Sequence, residues 1–204
     1  MRSPKHSILK SLAVAACGVL LLPDVAQAHL VTTGLGPVYD GIWHVLVSPM
    51  ALLLVAAIAF ASGLNGPACG RVAIFVFPAA WLIAAFCGFN ALWPAVPDSI
   101  TGFLLVCIGL SIALDLALPR LAVALMAGGA GAIQGFADGV EVARAGSDAM
   151  ALPGMAAAMF VLCSIVTGLT VHRAQGVCRL IVRTGGSWIA AVALLTIGWA
   201  FRGA

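Results

Sequence analysis

The sequence predicts an all-α fold: a polytopic transmembrane helical bundle of about six helices behind a cleavable leader. Three observations carry that prediction. Hydrophobic residues make up 63% of the 204 residues and charged residues only 8%, whereas soluble domains carry about 25% charged residues. Six apolar runs follow one another between 42 and 202, each close to the ~20 residues that a membrane span requires. The breaks between them are turn-forming: Asn65-Gly66-Pro67, Pro94 to Pro97, Pro119, Gly146 to Pro153, and Gly185-Gly186.

Taken in order, the chain opens with Arg2, Lys5 and Lys10, an apolar run from Ser11 to Leu22, and small residues at Ala26 and Ala28. That is the layout of a secretory signal peptide with a small-x-small cleavage site. Val14-Ala15-Ala16-Cys17 faintly resembles a lipoprotein box, but the apolar run continues past it. The expected organisation is a signal peptide over 1–28 and a six-helix domain over 29–204, with His29 as the first mature residue, outside the membrane. The helices are expected at 42–64, 70–90, 99–118, 120–140, 151–172 and 185–202. Pro78 should kink the second, because proline removes a backbone donor. Pro119 and Arg120 imply a tight hairpin between the third and fourth.

Charge sets the orientation. With His29 outside, Arg71, Arg120, Arg173, Arg179 and Arg183 fall on the cytoplasmic side, and only Arg144 and Arg202 fall outside. That asymmetry obeys the positive-inside rule and puts both mature termini in the periplasm of a multi-pass inner-membrane protein. Asp40, Asp98, Asp138, Glu141 and Asp148 gather at the outer side. Trp43, Trp93 and Trp199 lie near outer helix ends, as interfacial anchors do.

Several classes are disfavoured. Beyond residue 28, seven arginines face six acids, so no nucleic-acid footprint exists. The six cysteines show no paired spacing, which supports neither a disulfide framework nor a zinc knuckle. No phosphate loop, nucleophile elbow, HExxH or haem motif is visible, so an enzyme is not expected.

Two constellations can carry chemistry. Asp40 and His44 are four apart, hence on one helix face, and His29 precedes them across Gly34, Gly36 and Pro37. Carboxylate plus imidazole suits a borderline divalent metal. The structural alternative is that Asp40 caps the first helix and His44 is an interfacial histidine. The second constellation is Gln134, Asp138 and Glu141, spaced four and three, beside a stripe of Gly131, Gly135 and Gly139. Small residues at this interval let another helix approach closely. Ionisable groups at membrane depth point to function, unless Asp138 and Glu141 sit among headgroups with Arg144 as partner.

Other residues read more plainly. Asp115 suits a local ion pair with Arg120 or snorkelling, with a cation exit site as the alternative. His172 suits a solvated inner surface. Met150, Met155 and Met159 suit packing rather than a copper-binding row. Joining the two constellations, the first helix is expected to pack on the glycine stripe of the fourth, so that Asp40, His44, Asp138 and Glu141 share one cation. On that expectation, Gly139→Leu abolishes metal binding at a near-normal membrane level.

These motifs resemble those of the HupE/UreJ family of bacterial membrane proteins. His29, Asp40 and His44 within HLVTTGLGPVYDGIWH match its Asp-His motif at the first helix, although three residues intervene here. IQGFADGVE matches its later motif at Gly135, Gly139 and Glu141, with Gln134 and Asp138 where the family usually has histidines. The resemblance implies a nickel or cobalt permease of hydrogenase or urease gene clusters, working without nucleotide hydrolysis. It implies a transported ion rather than a permanently bound cofactor, with His29, Asp40, His44, Asp138 and Glu141 as ligands. Gln134, Gly135 and Gly139 would support them. The partners implied are the lipid bilayer and the ion, with a homo-oligomer or a metalloenzyme-maturation partner as further options. The rival function is a non-transporting accessory subunit.

Overall fold

The computed structural model describes residues 33–91, 97–173 and 175–202. They form seven α-helices: α1 (Pro37–Val47), α2 (Pro49–Leu64), α3 (Pro67–Phe89), α4 (Asp98–Ala113), α5 (Arg120–Arg144), α6 (Ala151–Arg173) and α7 (Gly176–Ala200). Helices α3, α5, α6 and α7 are long and apolar enough to cross a membrane, and α1 with α2 adds a fifth crossing if the bent pair is one span. α4 is apolar but only 16 residues long. Large apolar side chains such as Phe103, Leu125 and Ile83 are mostly exposed, as expected of a surface that faces lipid. The chain is a multi-pass helical membrane protein.

The expected first helix is two helices. It breaks at Ser48-Pro49 with a bend of 74°. Pro49 has no N–H to continue the ladder, and Ser48 caps α2, its side chain accepting from the Ala51 N–H at 3.4 Å. α3, by contrast, runs as one helix through the buried Pro78. The expected break at Gly185-Gly186 is also absent, since both residues lie inside α7. A Cβ on Gly186 would meet the Ile112 side chain at 2.5 Å, and one on Gly109 would meet the Gly186 carbonyl at 2.8 Å. The glycines there mark the seam between α4 and α7, not a turn.

α5 carries the tightest seam. Added Cβ atoms would fall 2.5 Å from the Phe77 carbonyl at Gly131, 2.1 Å from that of Trp81 at Gly135 and 2.0 Å from that of Ala85 at Gly139. Gly88 returns the contact, 2.2 Å from the Phe136 carbonyl. The neighbour in the stripe is therefore α3, not the first helix. α1 packs instead on the start of α6, where Gly41 abuts the Ala151 carbonyl and Gly154 abuts that of Val38. α2 packs along the other half of α6, with Gly63 against Thr170.

The third helix ends earlier than expected, at Ala113. Asp115 adopts φ 55°, the Asp115 N–H donates to the Ile112 carbonyl and the Leu116 N–H to that of Ser111. This is a Schellman ending with aspartate in the usual glycine position. The Asp115 carboxylate does not pair with Arg120. It takes a two-pronged contact from Arg179 at 2.8 and 2.7 Å, while Arg183 donates to the Ala113 carbonyl at 3.1 Å. The first turns of α7 thus tie down the end of α4. Asn65 does the same for the α4–α5 connection, accepting from the Leu118 N–H at 2.7 Å. Arg71, Arg120, Arg179 and Arg183 all fall at this end of the bundle.

Two outcomes follow. Gly139→Ala forces the α3 backbone away and lowers stability in detergent by about 1–3 kcal/mol or more. Gly129→Ala, which meets nothing within 4 Å, leaves the thermal midpoint unchanged or higher; equal midpoints would contradict the seam. For the same reason Gly139→Leu does not leave a near-normal membrane level.

The Arg179 contact holds the Asp115 carboxyl below its ordinary value of 3.8. A carboxyl depressed in the folded state contributes stability above its unfolded pKa and loses it as pH falls through the folded one. Asp115→Asn therefore costs about 1 kcal/mol or less at pH 7 and flattens the decline in thermal midpoint below pH 4. A decline as steep as wild type would show the pair to be idle.

Candidate functional site

The functional side chains lie on α1, α4, α3 and α5, at the end of the bundle away from the paired arginines. On α1, Asp40 and His44 share one face, both half-buried. Asp40 does not cap its helix. The N-cap is Gly36, without a side-chain cap, and Pro37 opens the helix. Asp40 instead accepts from Thr33, from its N–H at 2.5 Å and its hydroxyl at 2.6 Å. Gly34 and Gly36 have φ 77° and 111°, a left-handed backbone that suits glycine. They turn the chain so that Thr33 lies against the carboxylate. His29 lies outside the described residues.

The second constellation is a buried network. Asp138 is 8% exposed. The Trp81 indole Nε1 donates to its Oδ2 at 2.9 Å, and Gln134 Nε2 donates to its Oδ1 at 2.7 Å. The Thr101 hydroxyl donates to Gln134 Oε1 at 3.1 Å. α3 and α5 are thereby joined at the carboxylate, and α4 is tied in through the Gln134 amide. The glycine stripe explains the geometry. Gly135 admits the Trp81 backbone against α5, which brings the indole into reach one turn along, at Asp138. Asp138 faces the bundle interior, not the headgroups. No arginine, lysine or histidine bonds to it among the described residues.

Not everything expected of the four ionisable residues is met. Glu141 is exposed near the end of α5, so the face predicted to be shared by Gln134, Asp138 and Glu141 divides. Gln134 and Asp138 point inward and Glu141 outward. With α3 in the glycine stripe, α1 is not its neighbour there. Among the described residues no three of His, Cys, Asp and Glu come together as a metal site. The convergence of Asp40, His44, Asp138 and Glu141 around one ion is therefore absent from this arrangement.

Sequence reasoning missed Trp81 and Thr101. Trp81 is fully buried, unlike the exposed Trp43 and Trp199; Trp93 lies outside the described residues. Its signal was its place at mid-helix, away from any interface. The reasoning also missed a set of buried hydroxyls, Ser62, Thr167 and Thr170, with Cys163 3.8 Å from the Thr167 hydroxyl. Met155 and Met159 are buried while Met150 is exposed, in keeping with packing. His172 is exposed. Cys69, Cys87, Cys107, Cys163 and Cys178 are free thiols.

The indole–carboxylate bond is open to direct test. Trp81→Phe keeps the ring and removes the donor, leaving Asp138 Oδ2 without its partner. The expected cost is about 1–3 kcal/mol, read as a lower thermal midpoint. In an Asp138→Asn background the same change should cost much less, and equal costs in both backgrounds would dissolve the coupling.

A family model, described as HupE / UreJ protein, matches residues 17–196. No curated protein and no solved structure matches the chain. The matched span covers nearly the whole sequence and all of the helices that build the Asp138 network, and on it the chain belongs to the HupE/UreJ family.

Proposed function

We propose that this protein is a secondary transporter that moves a divalent transition metal, nickel or cobalt, across the bacterial inner membrane. The observation that carries the reading is Asp138: a carboxylate inside the bundle, held by neutral donors and, among the described residues, by no basic side chain. Burying an unpaired carboxylate is costly, and a passing cation would offset that cost. A carboxylate offers about four lone-pair directions, and the two hydrogen bonds use two of them.

In this reading His29, Asp40 and His44 capture the ion at the periplasmic face, and Glu141 draws it toward α5. Asp138 receives it, with Gln134 as a neighbouring oxygen donor. The packed network represents the closed state. On entry the Trp81 or Gln134 donor turns aside to open a path to the remaining lone pairs, because the packed carboxylate is only 8% exposed. Gly135 and Gly139 keep α3 close enough for that switch to close again. Past Asp138, the hydroxyls of Ser62, Thr167 and Thr170 offer polar contacts toward the arginine-bearing end, the cytoplasmic end in this reading. Ligands that bind metal also bind protons, so proton exchange can accompany release.

The test is uptake of radioactive nickel and cobalt into proteoliposomes holding the purified chain. Asp138→Asn should reduce uptake by about 10- to 100-fold, the scale on which metal sites respond to lost orienting groups. His44→Ala should chiefly raise the KM. If correctly folded wild-type protein moves neither ion, transport is wrong. The accessory-subunit reading then takes its place, with assembly of a nickel enzyme in cells as its readout.

A further inference from the structure

At the opposite end of the bundle from Asp138, an open groove of about 280 Å³ lies between the first turns of α3 and α5. Ala68, Arg71, Val72, Phe75 and Val76 line it from α3, and Arg120 lines it from α5. Both guanidiniums border the groove and no carboxylate does. Their neighbours at this end differ. Arg179 is engaged by Asp115 and Arg183 by the Ala113 carbonyl, whereas Arg71 and Arg120 have no hydrogen-bond or ion-pair partner among the described residues. The rest of the groove is apolar. Phe75, 64% exposed, forms a tilted pair with Phe160 at 5.8 Å between ring centroids, and this aromatic wall extends from the groove along the lipid-facing surface.

We infer that this groove binds an anionic phospholipid, its headgroup phosphate between Arg71 and Arg120 and an acyl chain against Phe75 and Phe160. Charge complementarity selects the headgroup: two guanidiniums without an ion-pair partner among the described residues line one groove. Arginine suits the role because its planar fork binds phosphate oxygens in pairs. Neither helix has an acidic residue in its first turn or a side-chain cap, so the helix dipoles add to the same positive field. The apolar wall selects a lipid over a small anion, since a free phosphate would leave Val72, Val76 and Phe75 unused. The consequence is a lipid wedged beside the α3–α5 seam. This inference does not depend on what the protein transports.

Native mass spectrometry of the detergent-extracted full chain, offered phosphatidylglycerol and phosphatidylethanolamine in equal amounts, tests it. Wild type should retain phosphatidylglycerol preferentially. Arg71→Gln combined with Arg120→Gln should lower that retention by roughly 25-fold, about fivefold for each guanidinium, with a normal thermal midpoint in lipid-free detergent. Arg173→Gln, an exposed arginine at the same end but outside the groove, should retain the lipid as wild type does. Three results would overturn the inference: undiminished retention in the double variant; an equal loss in Arg173→Gln, which would mean diffuse surface charge; or displacement by inorganic phosphate where chloride of equal ionic strength has no effect, which would mean a small-anion site.

Discussion

The backbone-to-backbone contact between α3 and α5 is the constraint on which the rest of the molecule depends. Lipid tails are as apolar as the side chains that would leave them, so helices in a bilayer associate through close packing and polar contacts rather than by escaping water. Gly131, Gly135, Gly139 and Gly88 remove the side chains that would separate these two helices. The approach places the Trp81 indole against Asp138. Without the stripe, the carboxylate would lose its indole donor.

The polar groups divide into two systems at opposite ends, and they are built differently. At one end, Asp115, Arg179 and Arg183 close the ends of α4 and α7 with an ion pair and a backbone contact. That arrangement is structural: charge meets opposite charge, and the aspartate also occupies a helix-ending position. At the other end, Asp138 meets neutral donors alone among the described residues. A site that must take up and release a cation benefits from such partners, because a resident arginine would compete with the ion.

Much of the fold was legible in the sequence. The apolar runs set the helices, and the Asn65-Gly66-Pro67 and Pro119 breaks fell where helices end or begin. Errors came where one residue type serves two physical roles. Gly185-Gly186 read as a turn and is a packing seam; Pro49 lay inside an apolar run and is a 74° bend. Within the site, the spacing of Gln134 and Asp138 correctly put both on one helix face, and the glycine stripe correctly implied a close neighbour. Which helix that neighbour was could not be read, because several spans are apolar enough to fill a small-residue groove. Thr101 meets Gln134 and Trp81 meets Asp138 from 33 and 57 residues away in sequence, and no local pattern announces such meetings.

The shortness of α4 has a consequence for the membrane itself. Its 16 residues rise about 24 Å at 1.5 Å each, less than the ~30 Å of a typical hydrocarbon core. Its seam partner α7 has 25 residues, about 37 Å by the same measure. The two meet at Gly109 and Gly186, and the extra length of α7 is at its start, where Arg179 and Arg183 sit at the end of α4. That excess lies outside the apolar core, so the flank as a whole has the short span of α4. A span of that length is accommodated by thinning of the lipid beside it, and the thickness of the surrounding membrane becomes one of the variables that set the energy of this protein.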